Sequence, residues 1–104
     1  MIFSEFEIQA VAYALLQQKY GKVYVRGEYK KGKCRFDLVI LNKAKEIVIV
    51  IECKKDGKKV KDKQRNQYIE YTGVKELITC NEMWQAEAIL DIVDYHIKKH
   101  NIIF

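Results

Sequence analysis

The run "IVIVIECKK", residues 47–55, decides how this chain folds. Consecutive β-branched residues with no polar alternation lead into a glutamate, a cysteine and two lysines. A strand of that pattern is buried on both faces and sits inside a sheet. Burying an unpaired ion is costly. Glu52 and Lys54 therefore either mark where the strand leaves the core or are held there for chemistry. Residues i and i+2 of a strand share a face, so Glu52 and Lys54 point one way and Cys53 the other.

Working outward, "CRFDLVIL" (34–41) reads as the preceding strand, joined through the turn "NKAK" (42–45). Before it, "KVYVRGEY" (22–29) alternates like a strand and "KKGK" (30–33) reads as a turn. Two such short turns predict an antiparallel meander. Residues 4–20 predict a helix. Ser4 can cap it with Glu7 as its capping-box partner, Ile8, Val11, Ala12, Leu15 and Leu16 recur at helical spacing, and Gly21 ends it. Downstream, "KDGKK" (55–59) reads as a loop and "VKDKQRNQYIEYTG" (60–73) as a helix. "KELITC" (75–80) reads as a fourth strand, parallel to its neighbour because a helix precedes it. "NEMWQAEAILDIVDYHIKKH" (81–100) predicts a closing helix capped by Asn81, with Met83, Ala86, Ile89, Leu90, Val93 and Ile97 facing the core. The order is αβββαβα: one domain over residues 1–104, of the α/β class with a mixed sheet and a C-terminal helix.

Composition sets the outer bounds. The 104 residues are 49% hydrophobic and 32% charged, an ordinary globular balance rather than a disordered one. The longest apolar run, "IVIVI", is too short to span a bilayer, and "MIFSEFEIQ" lacks the basic start of a secretory signal. Cys34, Cys53 and Cys80 are an odd count without metal-type pairing, which reads as reduced thiols in a cytoplasmic protein. The net charge of +5 is clustered. Lys54, Lys55, Lys58, Lys59, Lys61, Lys63 and Arg65 face only Asp56 and Asp62, and Lys30, Lys31, Lys33 and Arg35 form a second group. Such clusters either attract a phosphate backbone or are simply solvated loops.

An antiparallel hairpin pairs the start of one strand with the end of the next. Asp37 is therefore expected to meet Glu52 at one end of the sheet, with Lys54 beside them. Two carboxylates brought together repel unless a proton or a cation joins them. A hard divalent cation such as Mg²⁺ prefers oxygen ligands, and an ammonium alongside can steady charge building on a phosphate. That pattern predicts a metal-dependent phosphodiesterase site.

"RFD" followed by "IECK" resembles the PD-(D/E)xK motif of the restriction-endonuclease-like nuclease superfamily, and the αβββαβ order resembles its core. "QRNQY" adds Gln64 and Tyr68 at i and i+4, similar to the QxxxY motif of RecB-like nucleases and of the nuclease domain of type I restriction motor subunits. "SEFEIQ" and "GEYKKGKCRFDLVI" resemble the opening helix and first two strands of that domain. VRR-NUC nucleases and Holliday-junction resolvases are cousins with much the same core. The resemblance implies that Asp37 and Glu52 bind Mg²⁺, with Mn²⁺ able to substitute, and that the Cys53 carbonyl completes the ligands. It implies that Lys54 is catalytic, and that Gln64 and Tyr68 support the site or touch substrate phosphate. It also implies that Glu5 contacts the metal through water, with Glu28 a further candidate. Glu5 lies nearer the Ile8, Ala12 and Leu15 stripe than Glu7 does. Phe36 stands where the motif has proline. The basic residues Lys55, Lys58, Lys59, Lys61, Lys63, Arg65 and Arg35 would then bind nucleic acid.

The expected function is a Mg²⁺-dependent DNA nuclease, an endonuclease in restriction, repair or recombination. It would act as a homodimer or within a larger assembly, without a membrane. The alternative is a degenerate DNA-binding or assembly module of the same fold. The chain has no P-loop and no room for a translocase, so it is not expected to pump DNA. Plainer readings stand beside these. Gln64 and Tyr68 also suit an amphipathic helix, and Glu5 a helix dipole. His96 and His100 share a helix face at i, i+4, but no third ligand accompanies them, so they read as exposed residues favoured near a helix C-terminus. Trp84 is expected in the core or an interface, and the apolar tail "NIIF" (101–104) against the sheet or in a dimer contact.

Overall fold

Ile47–Cys53 is the third strand of a four-stranded sheet, and every one of its residues is buried. The computed structural model describes residues 3–54 and 74–102. In chain order the elements are α1 (Glu5–Tyr20), β1 (Val25–Lys31), β2 (Cys34–Leu41), β3 (Ile47–Cys53), β4 (Glu76–Cys80), α2 (Met83–Glu87) and α3 (Ile89–Lys99). The sheet order is β1-β2-β3-β4, so β3 is flanked on both edges, as its unbroken apolar run requires. β1–β2 and β2–β3 are antiparallel, and β3–β4 is parallel. The architecture is a mixed α/β fold closed by C-terminal helices. No helix among the described residues is long and apolar enough to cross a membrane.

The first hairpin is tighter than the sequence suggests. Lys31 pairs with Cys34, so β1 runs two residues further and only Gly32 and Lys33 make the turn. Gly32 holds φ 61, the left-handed value that a two-residue hairpin needs at its first loop position. Helix α1 begins as its capping box predicts. The Glu7 N–H donates to Ser4 Oγ and the Ser4 N–H to Glu7 Oε1, both at 3.1 Å. Ile8, Ala12 and Leu16, at a helical spacing of four, are fully buried. They pack on Leu38, Ile40, Ile49 and Ile51, and Ala86, Ile89 and Val93 of the C-terminal helices join the same cluster. Phe36, Val39, Val50 and Leu77 form a second buried cluster. Each Val, Leu, Ile or Phe among them removed from water contributes about 1.5–3 kcal/mol.

The closing helix departs from expectation in two ways. Its cap is Glu82, not Asn81, because the Gln85 side chain reaches back to accept from the backbone N–H groups of both. It also breaks at Ala88, where φ −94 and ψ 10 leave the helical region. No glycine or proline marks the site; the break lets Ala86 before it and Ile89 after it both reach full burial. Trp84 is exposed rather than in the core, its indole N–H donating to Glu82. Ile102 packs on the core, while residues 103–104 lie outside the described residues. The helix read over 60–73 also lies outside them.

The capping box sets where α1 starts. Ser4→Ala is expected to cost about 1 kcal/mol, read as a lower urea midpoint with unchanged slope.

Candidate functional site

Strands β2 and β3 part at the end where their charged residues lie. Leu38 pairs with Ile51, so Asp37 falls one step further on, opposite Glu52. There the side chain takes over from the ladder: the Cys53 N–H donates to Asp37 Oδ2 at 2.8 Å. An extended residue turns its N–H and C=O to the same edge, so the Cys53 carbonyl faces β2 as well. Glu52 is only 3% exposed, the single charged residue buried among those described. Its Oε1 is buried without a hydrogen-bond partner among the described residues.

Burial, then the Asp37 charge and a hydrogen bond with Asp37, push the Glu52 carboxyl from its ordinary 4.5 up to about 8. The Lys54 charge works the other way. Lys54 follows β3 directly and is half-buried; its backbone N–H donates to the Cys80 carbonyl at 3.0 Å, which holds its Cα against β4.

Above this pair opens a cleft of about 480 Å³. Helix α1 lines it with Glu5, Phe6 and Gln9, β1 with Glu28, β2 with Arg35 and Asp37, and β3 with Glu52. Glu28 holds φ 49, the left-handed region that a residue with a Cβ enters at about 1–2 kcal/mol. It is skipped in the β1–β2 pairing, and its carboxylate accepts from Arg35 Nε at 3.0 Å and Arg35 Nη2 at 2.7 Å. The Gln9 amide donates to Glu28 Oε1 at 3.1 Å and to the Asp37 carbonyl at 3.4 Å. Gln9 first and Arg35 second hold the Glu28 carboxyl below its ordinary range. The two bonds, both to Glu28 Oε2, fix the Arg35 guanidinium at the rim while leaving it mostly exposed, with N–H groups still open to an anion.

The structure thus brings Glu5, Glu28, Arg35, Asp37 and Glu52 to one cleft. The Cys53 N–H is bonded to Asp37, and Lys54 is near enough for its charge to act on Glu52. Glu7 is turned away into the capping box. Gln64, Tyr68, Lys55, Lys58, Lys59, Lys61, Lys63 and Arg65 lie outside the described residues. Sequence reasoning missed Gln9 and Phe6. Gln9 carried a usable signal, since i and i+4 from Glu5 share a helix face. Phe6 is 79% exposed at the rim, an unusual place for a large apolar ring.

The donor set fits a hard divalent cation. Two carboxylates, one with an oxygen buried without a partner among the described residues, and a backbone carbonyl offer oxygen alone, and burial beside the Asp37 charge disfavours an ionised Glu52. Across the β3–β4 register Cys53 faces Cys80. Both thiols are free and share a hydrogen bond. That bond, then burial, pushes the Cys53 thiol up, while the same bond draws the Cys80 thiol down against the opposing effect of its burial.

Compared with known families, residues 9–101 match the type I restriction enzyme R protein N terminus. No match was found among curated proteins or among solved structures.

Proposed function

The chain belongs to the family of type I restriction enzyme R protein N termini, and we propose from that premise that it is a PD-(D/E)xK-type, Mg²⁺-dependent nuclease hydrolysing DNA phosphodiester bonds. One observation carries this reading: the buried Glu52 carboxyl, whose Oε1 has no hydrogen-bond partner among the described residues, lies opposite Asp37 in the lining of an open cleft. Such a pair is unfavourable in a fold unless it serves a cation.

Asp37, Glu52 and the Cys53 carbonyl would hold the ion, and Glu5, which lines the same cleft, would contact it through water. When bound, Mg²⁺ supplies Lewis-acid polarisation of a phosphoryl oxygen and lowers the pKa of water. The chain's own groups do the rest. Lys54 orients the attacking water and steadies charge building on the phosphate. Arg35, locked by Glu28, grips a neighbouring backbone phosphate. Phe6 offers a ring at the rim on which a base can stack. By the family resemblance, the basic residues of 55–65 would bind the phosphate backbone, and Gln64 and Tyr68 would support the site. DNA and other subunits of a restriction assembly are the expected partners, and a double-strand cut would need a homodimer or two visits by one site.

The test is incubation with supercoiled, linear, branched and single-stranded DNA, each with Mg²⁺, Mn²⁺ or EDTA. Cleavage that needs the metal and vanishes in EDTA supports the proposal. DNA binding without cleavage under every metal condition would overturn it in favour of a recognition module.

A further inference from the structure

The sequence offers His96 and His100 at i, i+4 with no third ligand beside them; the fold supplies one. Glu76, the first residue of β4, comes up against the end of α3. Glu76 Oε2 lies 3.2 Å from His100 Nε2, and Glu76 Oε1 lies 3.9 Å from His96 Nδ1. One donor atom from each of the three residues falls within 4.8 Å of the others. The imidazole planes are near parallel, 13° apart with centroids at 6.2 Å. All three side chains are between 16% and 25% exposed: sheltered, yet open to an entering ion.

We propose that Glu76, His96 and His100 form a transition-metal site, best suited to Zn²⁺, separate from the acidic cleft. Two imidazoles and one carboxylate are a donor set that Zn²⁺ uses, and three protein ligands leave a fourth position for water or another donor. Ligand bonds of about 2.0–2.2 Å put neighbouring donors roughly 3.4 Å apart in a tetrahedron. The two histidine–carboxylate spacings seen here, 3.9 and 3.2 Å, bracket that value. The cleft differs in chemistry, offering oxygen ligands suited to Mg²⁺. It differs in place too. Glu76 pairs with Ile49 and Thr79 with Glu52, so the two centres sit three residues apart along the strands, roughly 10 Å. A bound ion would tie the last turn of α3 to the start of β4, joining elements that sequence alone leaves unconnected.

The full chain, stripped with EDTA, is titrated with Zn²⁺ by calorimetry. The expected result is one ion per chain with a Kd below about 1 µM. Tm is expected to rise by roughly 10 °C at a hundredfold excess over Kd. His96→Gln, His100→Gln and Glu76→Gln should each weaken binding by about a hundredfold or more, whereas Asp37→Asn should not. Unchanged zinc affinity in the histidine variants would place the ion on the thiols or in the cleft and overturn the assignment. A second readout needs no variant. The sequence contains two histidines, these two, so imidazole NMR of the unmutated chain reports on both. Zinc should shift both sets of signals together; no shift in either would leave an ion pair only.

Discussion

Asp37→Asn is expected to cut metal-dependent DNA cleavage by about a thousandfold or more while the fold stands. Asparagine is the informative substitution because Asp37 has two tasks. Its Oδ2 caps the Cys53 N–H at 2.8 Å, and an amide oxygen can accept the same bond. Alanine would leave that N–H without its acceptor, at about 1–3 kcal/mol, mixing a structural loss with a chemical one. Asparagine removes only the charge, and with it a metal ligand of full strength. Lys54→Ala should lose a comparable share of activity for a different reason, since Lys54 holds no metal but supplies the ammonium. The pair separates the roles. Asp37→Asn should weaken Mn²⁺ binding, and Lys54→Ala should leave it intact while cleavage falls. Full cleavage by either variant would remove the residue from the mechanism.

The second large effect is on stability without metal. Glu52 ionises near 4.5 in the unfolded chain and near 8 in the fold. Between those values the folded chain keeps a proton that the unfolded chain has released. Stability from this group is therefore complete below pH 4.5 and is lost as pH rises through 8. At 1.36 kcal/mol per unit, the loss across the window approaches roughly 4–5 kcal/mol. That is a large part of what a domain this size has to spare. Three consequences follow and are measured together by urea unfolding. The EDTA-treated chain should be weaker at pH 8 than at pH 6. Added Mg²⁺ should stabilise it more at pH 8 than at pH 6, because the ion supplies the positive charge the carboxylates lack. Glu52→Gln should flatten the pH dependence and abolish the response to Mg²⁺. A flat profile in the unsubstituted chain would show that Glu52 is solvated and not the buried acid described.

These effects rest on features with different visibility in the sequence. The buried β3 follows from its unbroken β-branched run, and the strand order follows from two turns too short for anything but antiparallel neighbours. Given those, the meeting of Asp37 and Glu52 is hairpin arithmetic, and the register bears it out. The α1 start was legible because Ser4 and Glu7 are three residues apart and need nothing distant. Other features were not legible for the converse reason. Gln9 reaches Glu28 and the Asp37 carbonyl only because α1 lies across β1 and β2 at one angle. Glu28 faces the cleft only because its backbone turns into a left-handed conformation that the surrounding bonds maintain. The break at Ala88 answers to core packing on either side of it, not to any helix-breaking residue.

By itself, then, the sequence determined the opening helix, the four strands and their order, and the opposition of two acids on adjacent strands, since these depend on periodicity and loop length within short stretches of chain. Only the tertiary structure decided what gathers around those acids and what does not. It drew Gln9, Glu28 and Arg35 into the cleft, set Trp84 out in solvent, and carried Glu76 to a pair of histidines 20 and more positions away. Contacts of that range depend on how helices settle on the sheet and which rotamers that packing allows, and no local pattern encodes either.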